Sequence, residues 1–309
     1  MNATLRPHLS IDDFWRMRNF LREVFLLNDH LEHSWHVARL DYWRWHLITN
    51  CHVCESLEKG LSFWETSRSE IVAAVNTLGE GEIRLHVHPH YRTAELLDAM
   101  LACAEQTLYA QDEQGRHRIY LPVEPDDSLL QETLTQRGYL KREGTSHKWQ
   151  RDLDAPIPDL QVAHGYIIRS MGTLDEHPAR SWASWRAFHS EEPDENCDGD
   201  WSWYQNIQFS PLYRRDLDIV AVTPQGEFAS FCTIFYDDYT RSAVCVLVGT
   251  AVEHWRRGLG KAVIFEGMQR LQRLGCRRVF ATAYDSPADA LYRSVMQTMR
   301  LAETWSKQW

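Results

Sequence analysis

Two stretches of this chain repeat one another's order of features. EIVAAVNTLGEGEIRLHVHPHYRTAELLDAML begins at Glu70, and EFASFCTIFYDDYTRSAVCVLVGTAVEHWRRGLGKAVIFEGM begins at Glu227. Each reads as a hairpin, a long alternating strand, a His/Arg corner and then an amphipathic helix. The offset, roughly 160 residues, is too long for a solenoid repeat and fits two similar domains side by side in sequence. The total of 309 residues agrees, since single cores stop growing beyond about 250–300 residues. The seam lies at RDLDAPIPDLQVAHGY, Arg151 to Tyr166, where Pro156 and Pro158 disfavour regular structure on either side. Domains are therefore expected at 1–153 and 165–309, joined by a linker at 154–164.

Hydrophobic periodicity fills in the elements. The first half reads as helices at 12–28 and 37–49, strands at 61–67, 70–78 and 81–88, a helix at 93–110, a strand at 117–123, a helix at 127–137 and a strand pair within 139–152. The second half reads as a strand at 165–170, helices at 174–190 and 201–208, and strands at 217–223, 227–237 and 242–250. A helix at 258–275, a strand at 277–284, a helix at 286–297 and a strand at 300–308 complete it. The fold class is α+β, a mixed, twisted sheet flanked by helices in each half. The tryptophan-rich DYWRWHLITN is expected either to dock the halves or to line a cleft.

The net charge of −10, 43 acids against 33 bases, disfavours nucleic acid or anionic membrane as a partner, because both are held by basic surface. No apolar run approaches a membrane span of about 18 residues. MNATLRPHLS has no apolar h-region, and the 7 cysteines form no disulfide framework; both point to a reducing cytoplasm. CHVC, Cys51 to Cys54, lacks the second half of a zinc site. HVHPH places His86 and His88 on one strand face with no evident carboxylate or thiol partner, so no metal is expected.

The chemistry concentrates in HWRRGLGKAV, His254 to Val263. The preceding strand SAVCVLVGT is apolar on both faces, as a central strand is. Beyond the loop, Ile264, Met268, Leu271 and Gly275 recur at helical spacing. Strand, glycine loop and helix N-terminus converge free N–H groups on one point, a ready site for phosphate. Gly258 and Gly260 permit close backbone approach, and Arg256, Arg257 and Lys261 add charge. A P-loop is excluded because Ala262 follows the lysine. A dinucleotide fingerprint is excluded because Val263 replaces its third glycine.

The loop Trp255-Arg256-Arg257-Gly258-Leu259-Gly260 resembles the [QR]-x-x-G-x-[GA] acyl-CoA pyrophosphate loop of the GCN5-related N-acetyltransferases (GNAT). DSPADALYRSV, Asp285 to Val295, resembles that superfamily's N-x-P-A-x-x-L-Y helix. The whole chain looks like the superfamily's tandem members, an arrangement shared with mycothiol synthase. The resemblance implies acetyl-CoA as acyl donor, with no metal. The pyrophosphate would lie on the amides of Arg256, Arg257, Gly258, Leu259, Gly260 and Lys261, and the pantetheine arm would pair with Val248 and Thr250. Asp285 and Ala288 carry over from the family's helix start, and Tyr292 as the acid that protonates the departing thiolate.

At the matching corner of the first half, HYRTAELLDAML keeps Arg92 but has no glycine, so that half is expected not to bind CoA in the usual way. Three departures mark the second half: Trp255 replaces Gln or Arg, Asp285 replaces Asn, and no glutamate stands on SAVCVLVGT, where Val244 and Val246 occupy the usual place of a general base. Asp237, Asp238, His189 and the acids of SEEPDENCDGD are alternatives for that base, and none is fixed by spacing. The six acids from Glu191 to Asp200 read first as a solvated loop; the alternative is attraction of a cationic amine. The expected activity is acetyl transfer to a primary amine of a small molecule, and the alternative is a silent acyl-CoA or ligand sensor.

Overall fold

The computed structural model describes residues 3–6, 10–159 and 162–309. Leu160 and Gln161, within the expected linker, lie outside the described residues. The chain forms two compact units, Met1–His147 with Arg300–Trp309, and Lys148–Met299. The proline seam thus falls inside the second unit, and the last strand of the chain belongs to the first.

In the first unit, β1 (Thr4–Arg6) precedes α1 (Ile11–Leu27), α2 (Val37–Tyr42) and a short α3 (Leu57–Gly60). Strands β2 (Leu61–Glu65), β3 (Ile71–Gly79) and β4 (Glu82–Val87) form an antiparallel meander. Then come α4 (Ala94–Thr107), β5 (Ala110–Gln111), β6 (His117–Val123), α5 (Ser128–Gln136) and β7 (Leu140–Asp152). The helix expected over 37–49 widens into a π-helical turn at Trp43–Ile48. Trp43 is fully buried in this unit's own core with Phe14, Met17 and Phe63, and its Nε1 donates to the Thr77 carbonyl at 2.7 Å. The rest of the tryptophan-rich segment packs on the same core through Trp45, Leu47 and Ile48. The strand pair expected within 139–152 is one strand: Gly144, at φ 113°, absorbs a backbone irregularity without turning the chain.

The second unit opens with β8 (Ile167–Ser170), α6 (His177–Phe188) and α7 (Ser202–Gln208). It continues through β9 (Asp218–Val222), β10 (Phe228–Asp237), β11 (Ser242–Thr250), α8 (Leu259–Arg273), β12 (Arg278–Ala283) and α9 (Ser286–Val295). The chain ends in β13 (Thr298–Gln308), whose Glu303–Gln308 pair antiparallel with β6 of the first unit's fold. Strands β8 to β11 are antiparallel neighbours, and β12 joins β11 in parallel.

Helix α8 is held by Leu259, Val263, Ile264, Met268 and Leu271, which bury against Ile219, Cys232, Ile234 and Cys245 of the sheet. Helix α6 covers the other face. At Gly249 an added Cβ would lie 2.4 Å from Phe231 Cζ and 2.9 Å from Ala187 Cβ. Glycine there lets α6 approach β11 closely, and Gly249→Ala is expected to destabilise the protein by about 1–3 kcal/mol through overpacking. A shift in urea midpoint at unchanged slope checks it.

Candidate functional site

Strand β11 has two different halves. Its parallel register with β12 runs from Ser242↔Arg278 to Val244↔Phe280 and ends there. Beyond it, β11 continues to Thr250 with ladder partners on β10 and, among the described residues, none on the β12 side. The register against β10 steps from Ile234↔Cys245 to Thr233↔Leu247, leaving Val246 as an extra, bulged residue. A bulge adds twist and ends regular pairing. Consistent with an opened edge, Val246, Val248, Gly249 and Thr250 are half-buried where the first half of the strand is buried. The alternating valines predict this strand but carry no mark of the bulge.

The chain leaves β11 through a 3-10 turn at Val252–His254 and reaches α8 across two left-handed residues, Arg256 at φ 63° and Gly258 at φ 75°. Left-handed and right-handed residues in succession point neighbouring amides into one concavity, an arrangement that holds anions. Gly258 is the N-cap of α8, with no side-chain cap and no acid in the first turn. The first intrahelical bond runs from the Ala262 amide to the Gly258 carbonyl at 3.0 Å. The amides of Leu259, Gly260 and Lys261 thus lie ahead of the ladder, available to a ligand.

A Cβ placed on Gly258 would meet nothing within 4 Å, so the space before the loop is open. Gly260 faces the other way: its added Cβ would contact Leu291 Cδ2 and Thr250 Oγ1, both at 3.4 Å. That glycine seats the helix against the end of β11 and against α9. Trp255, in place of the family's Gln or Arg, donates its indole N–H to the Thr250 carbonyl at 2.7 Å. It ties the loop to the strand end, and the residue as a whole stays 48% exposed. Asp285 caps α9 by accepting from the Ala288 amide at 2.7 Å, a structural use of both residues. Tyr292 is buried in the core shared by α8 and α9, next in sequence to the Leu291 that meets Gly260.

Several of the candidate bases are engaged in local structure. Asp237 closes the β10–β11 hairpin by accepting from the Thr240 hydroxyl at 2.7 Å, and Asp238 is exposed at its tip. His189 stacks on Trp185 with ring centroids 4.1 Å apart and meets Glu192 at 2.7 Å. In the acidic run, Asp194 pairs with Arg186 at 2.8 Å, and Arg186 also pairs with Glu253 at 2.7 Å. No group of three His, Cys, Asp or Glu side chains among the described residues is placed to hold a metal ion.

The matching corner of the first unit is built differently. Thr93 caps α4, its hydroxyl accepting from the Leu96 amide at 3.3 Å, and Glu95 adds negative charge in the first turn. The Glu95 carboxyl is held below its ordinary value by its own backbone amide and by Thr93. Arg92 is paired with Asp127. Strand β4 pairs with β6 at Glu82↔Tyr120, and further along, the Val87 amide donates to Ser34 Oγ at 3.3 Å. The helix start is capped from within the chain, and one amide of the strand edge, that of Val87, is met by Ser34.

The Acetyltransferase (GNAT) family model matches residues 180–296. Over that segment the chain is similar to the GNAT family. Solved structures extend the GNAT likeness over both units as a fold. A GCN5-related N-acetyltransferase from Sphaerobacter thermophilus superposes with a TM-score of 0.65 at 17% identity, covering 99% of this chain and 95% of that one. A tandem GNAT protein from the clavulanic acid biosynthesis pathway gives 0.67 at 14% identity, covering 99% and 98%. No curated protein matches the chain. The GNAT match starts at Arg180, inside α6, and ends just after α9, so it contains β11, the glycine loop and Tyr292.

Proposed function

We propose that the protein is an acyl-CoA-dependent N-acyltransferase, moving an acetyl group to a primary amine of a small molecule at the second unit. One observation carries this reading: an uncapped, acid-free helix N-terminus behind two left-handed residues stands beside the open edge of a bulged strand. The loop amides of Arg256 to Lys261 suit a diphosphate, and the free edge around Val248 suits an extended amide-bearing arm, as strand addition does. The fit is partial at Thr250, whose carbonyl already accepts from Trp255.

In the reaction, the neutral amine nitrogen attacks the thioester carbonyl carbon, the C–S bond breaks, the sulfur takes a proton and the nitrogen loses one. Amides of the opened strand would steady the charge on the carbonyl oxygen. Tyr292 is assigned the proton delivered to sulfur, a role for a phenol that is neutral at pH 7. Tyr292→Phe is expected to lower kcat by roughly 10²–10⁴ with CoA affinity unchanged, measured as thiol release against equilibrium titration. An unchanged kcat would remove the tyrosine from the chemistry.

The whole reading is tested by titrating CoA into the intact protein and by following thiol release from acetyl-CoA over a panel of amines. One CoA per chain is expected, because the first unit's helix start is filled by Thr93 and Glu95. Binding without turnover on any amine would instead favour the silent sensor, which the valines at 244 and 246 motivate. No binding at all would overturn both.

A further inference from the structure

The backbone groups of β11 alternate between β10 and the open edge. The Ala251 amide donates to the Ala229 carbonyl at 2.9 Å, and Ser230 stands opposite Thr250 in the register. In an antiparallel ladder such a bond flanks a pair whose own backbone groups point away from each other. The N–H and C=O of Thr250 therefore point to the open edge. Those of Val248, two residues earlier and opposite Cys232, do so as well. The Thr250 carbonyl does not stand free there, because the Trp255 indole N–H donates to it at 2.7 Å. Thr250 is itself held in place, its hydroxyl 2.9 Å from Ser230 Oγ, which also donates to the Gly249 carbonyl at 2.8 Å. An indole nitrogen so close to an edge carbonyl sets its ring in the strip that an added strand would occupy.

Resting on the proposed CoA reading, we infer that Trp255 is a latch on the strand edge: in the free protein its indole N–H takes the carbonyl that an amide N–H of the arm takes in the complex. The arm pairs with the whole edge only after the indole lets go. The Trp255 backbone is extended, at φ −60° and ψ 158°, and the residue is 48% exposed, so release asks only for side-chain rotation into solvent. The free protein is then divided between a latched and an open form, and the arm's affinity is lowered by the fraction that is open. The diphosphate escapes this competition, because its partners are the amides ahead of the α8 ladder and not the strand edge. The latch thus weighs against one half of the donor only. It belongs to this chain's own departure from the loop pattern, where Trp255 stands in place of Gln or Arg.

The test is calorimetry on the full-length protein and on Trp255→Phe, which keeps a ring and removes the N–H. The ligands are CoA and ADP, the second a diphosphate without the arm. The ratio of CoA affinity to ADP affinity is expected to rise about 3- to 10-fold in Trp255→Phe, the size of one released hydrogen bond. A mere tie between loop and strand predicts otherwise, since a loosened loop would weaken both ligands together and leave the ratio where it was. A second measurement keeps the native side chain. In protein labelled with 5-fluorotryptophan, the fluorine resonance that is lost in Trp255→Phe is expected to move towards the position of a solvated indole on saturation with CoA. A ratio unchanged or lowered in Trp255→Phe, or a Trp255 resonance that CoA does not move, would overturn the inference and leave the CoA reading intact. Failure of CoA to bind either protein would strike the CoA reading itself, and the latch with it.

Discussion

Gly258→Asp is expected to weaken CoA binding more than 100-fold relative to Gly258→Asn. The two substitutions share shape, and both residues tolerate the left-handed backbone at φ 75° better than other side chains do. Since an added Cβ meets nothing within 4 Å, neither should clash, and both should fold. They differ in one charge, set where the loop amides converge. A carboxylate about 4 Å from a phosphate charge costs on the order of 4 kcal/mol at an effective dielectric constant of 20, beyond the roughly 2.7 kcal/mol of a 100-fold change. The ligand-free stabilities should run the other way, because a carboxylate at a helix N-cap satisfies free amides and the helix dipole. Gly258→Asp is thus expected to melt above Gly258→Asn while binding CoA far more weakly, read by thermal denaturation and calorimetry on the same preparations. Equal CoA affinities would show that the helix start does not meet an anion.

The first unit already carries a version of that substitution. Thr93 and Glu95 place a hydroxyl and a carboxylate on the start of α4, and Ser34 takes the Val87 amide on the neighbouring strand edge. The second unit thus leaves the start of α8 uncapped, whereas the first unit caps the start of α4 and meets the Val87 amide internally. This asymmetry was legible at the loop, where glycines are present in one half and missing in the other. It was not legible at Ser34, because a serine in a polar stretch carries no sign of the amide it will meet.

The same distinction governs how far the sequence could be read. Elements that bury one face, such as α8 with Leu259, Val263 and Leu271 or β10 with its run of buried residues, announce themselves by period, and their bounds are recovered closely. The bulge at Val246, the π-helical turn at Trp43 and the uninterrupted β7 are settled by pairing and packing partners distant in sequence, which periodicity cannot register. Trp255 is an intermediate case. Its departure from the loop pattern is visible, but its role as a donor to Thr250 emerges only when the turn brings them together. Likewise Val162 and Ala163 fall within the expected linker and come to line a cavity with Arg257 and Lys261.

Asp218→Ala is expected to destabilise the second unit by about 3–5 kcal/mol, the cost of stranding a buried charge. Asp218 is fully buried at the start of β9. Its carboxylate accepts from the hydroxyls of Tyr204, of Tyr213 at 3.0 Å and of Thr233 at 2.8 Å. Burial, and then the Asp218 charge, push both phenols above their ordinary values, so each remains a donor throughout the working pH range. Thr233 also accepts from Arg180 Nη2 at 3.4 Å, which links the carboxylate to a guanidinium that is itself fully buried and stacked 3.6 Å over Phe231. Removing Asp218 leaves three hydroxyls without their acceptor and Arg180 without its counter-charge. Arg180 Nε and Nη1 already lack partners among the described residues, so Arg180→Met removes donors that gain nothing and should cost less. The double variant should then be milder than the sum of the two single ones, because each removes the group that the other strands. Urea unfolding followed by tryptophan fluorescence measures all three. A loss under about 1 kcal/mol for Asp218→Ala, or strict additivity in the cycle, would mean that the carboxylate and guanidinium do not compensate one another across Thr233.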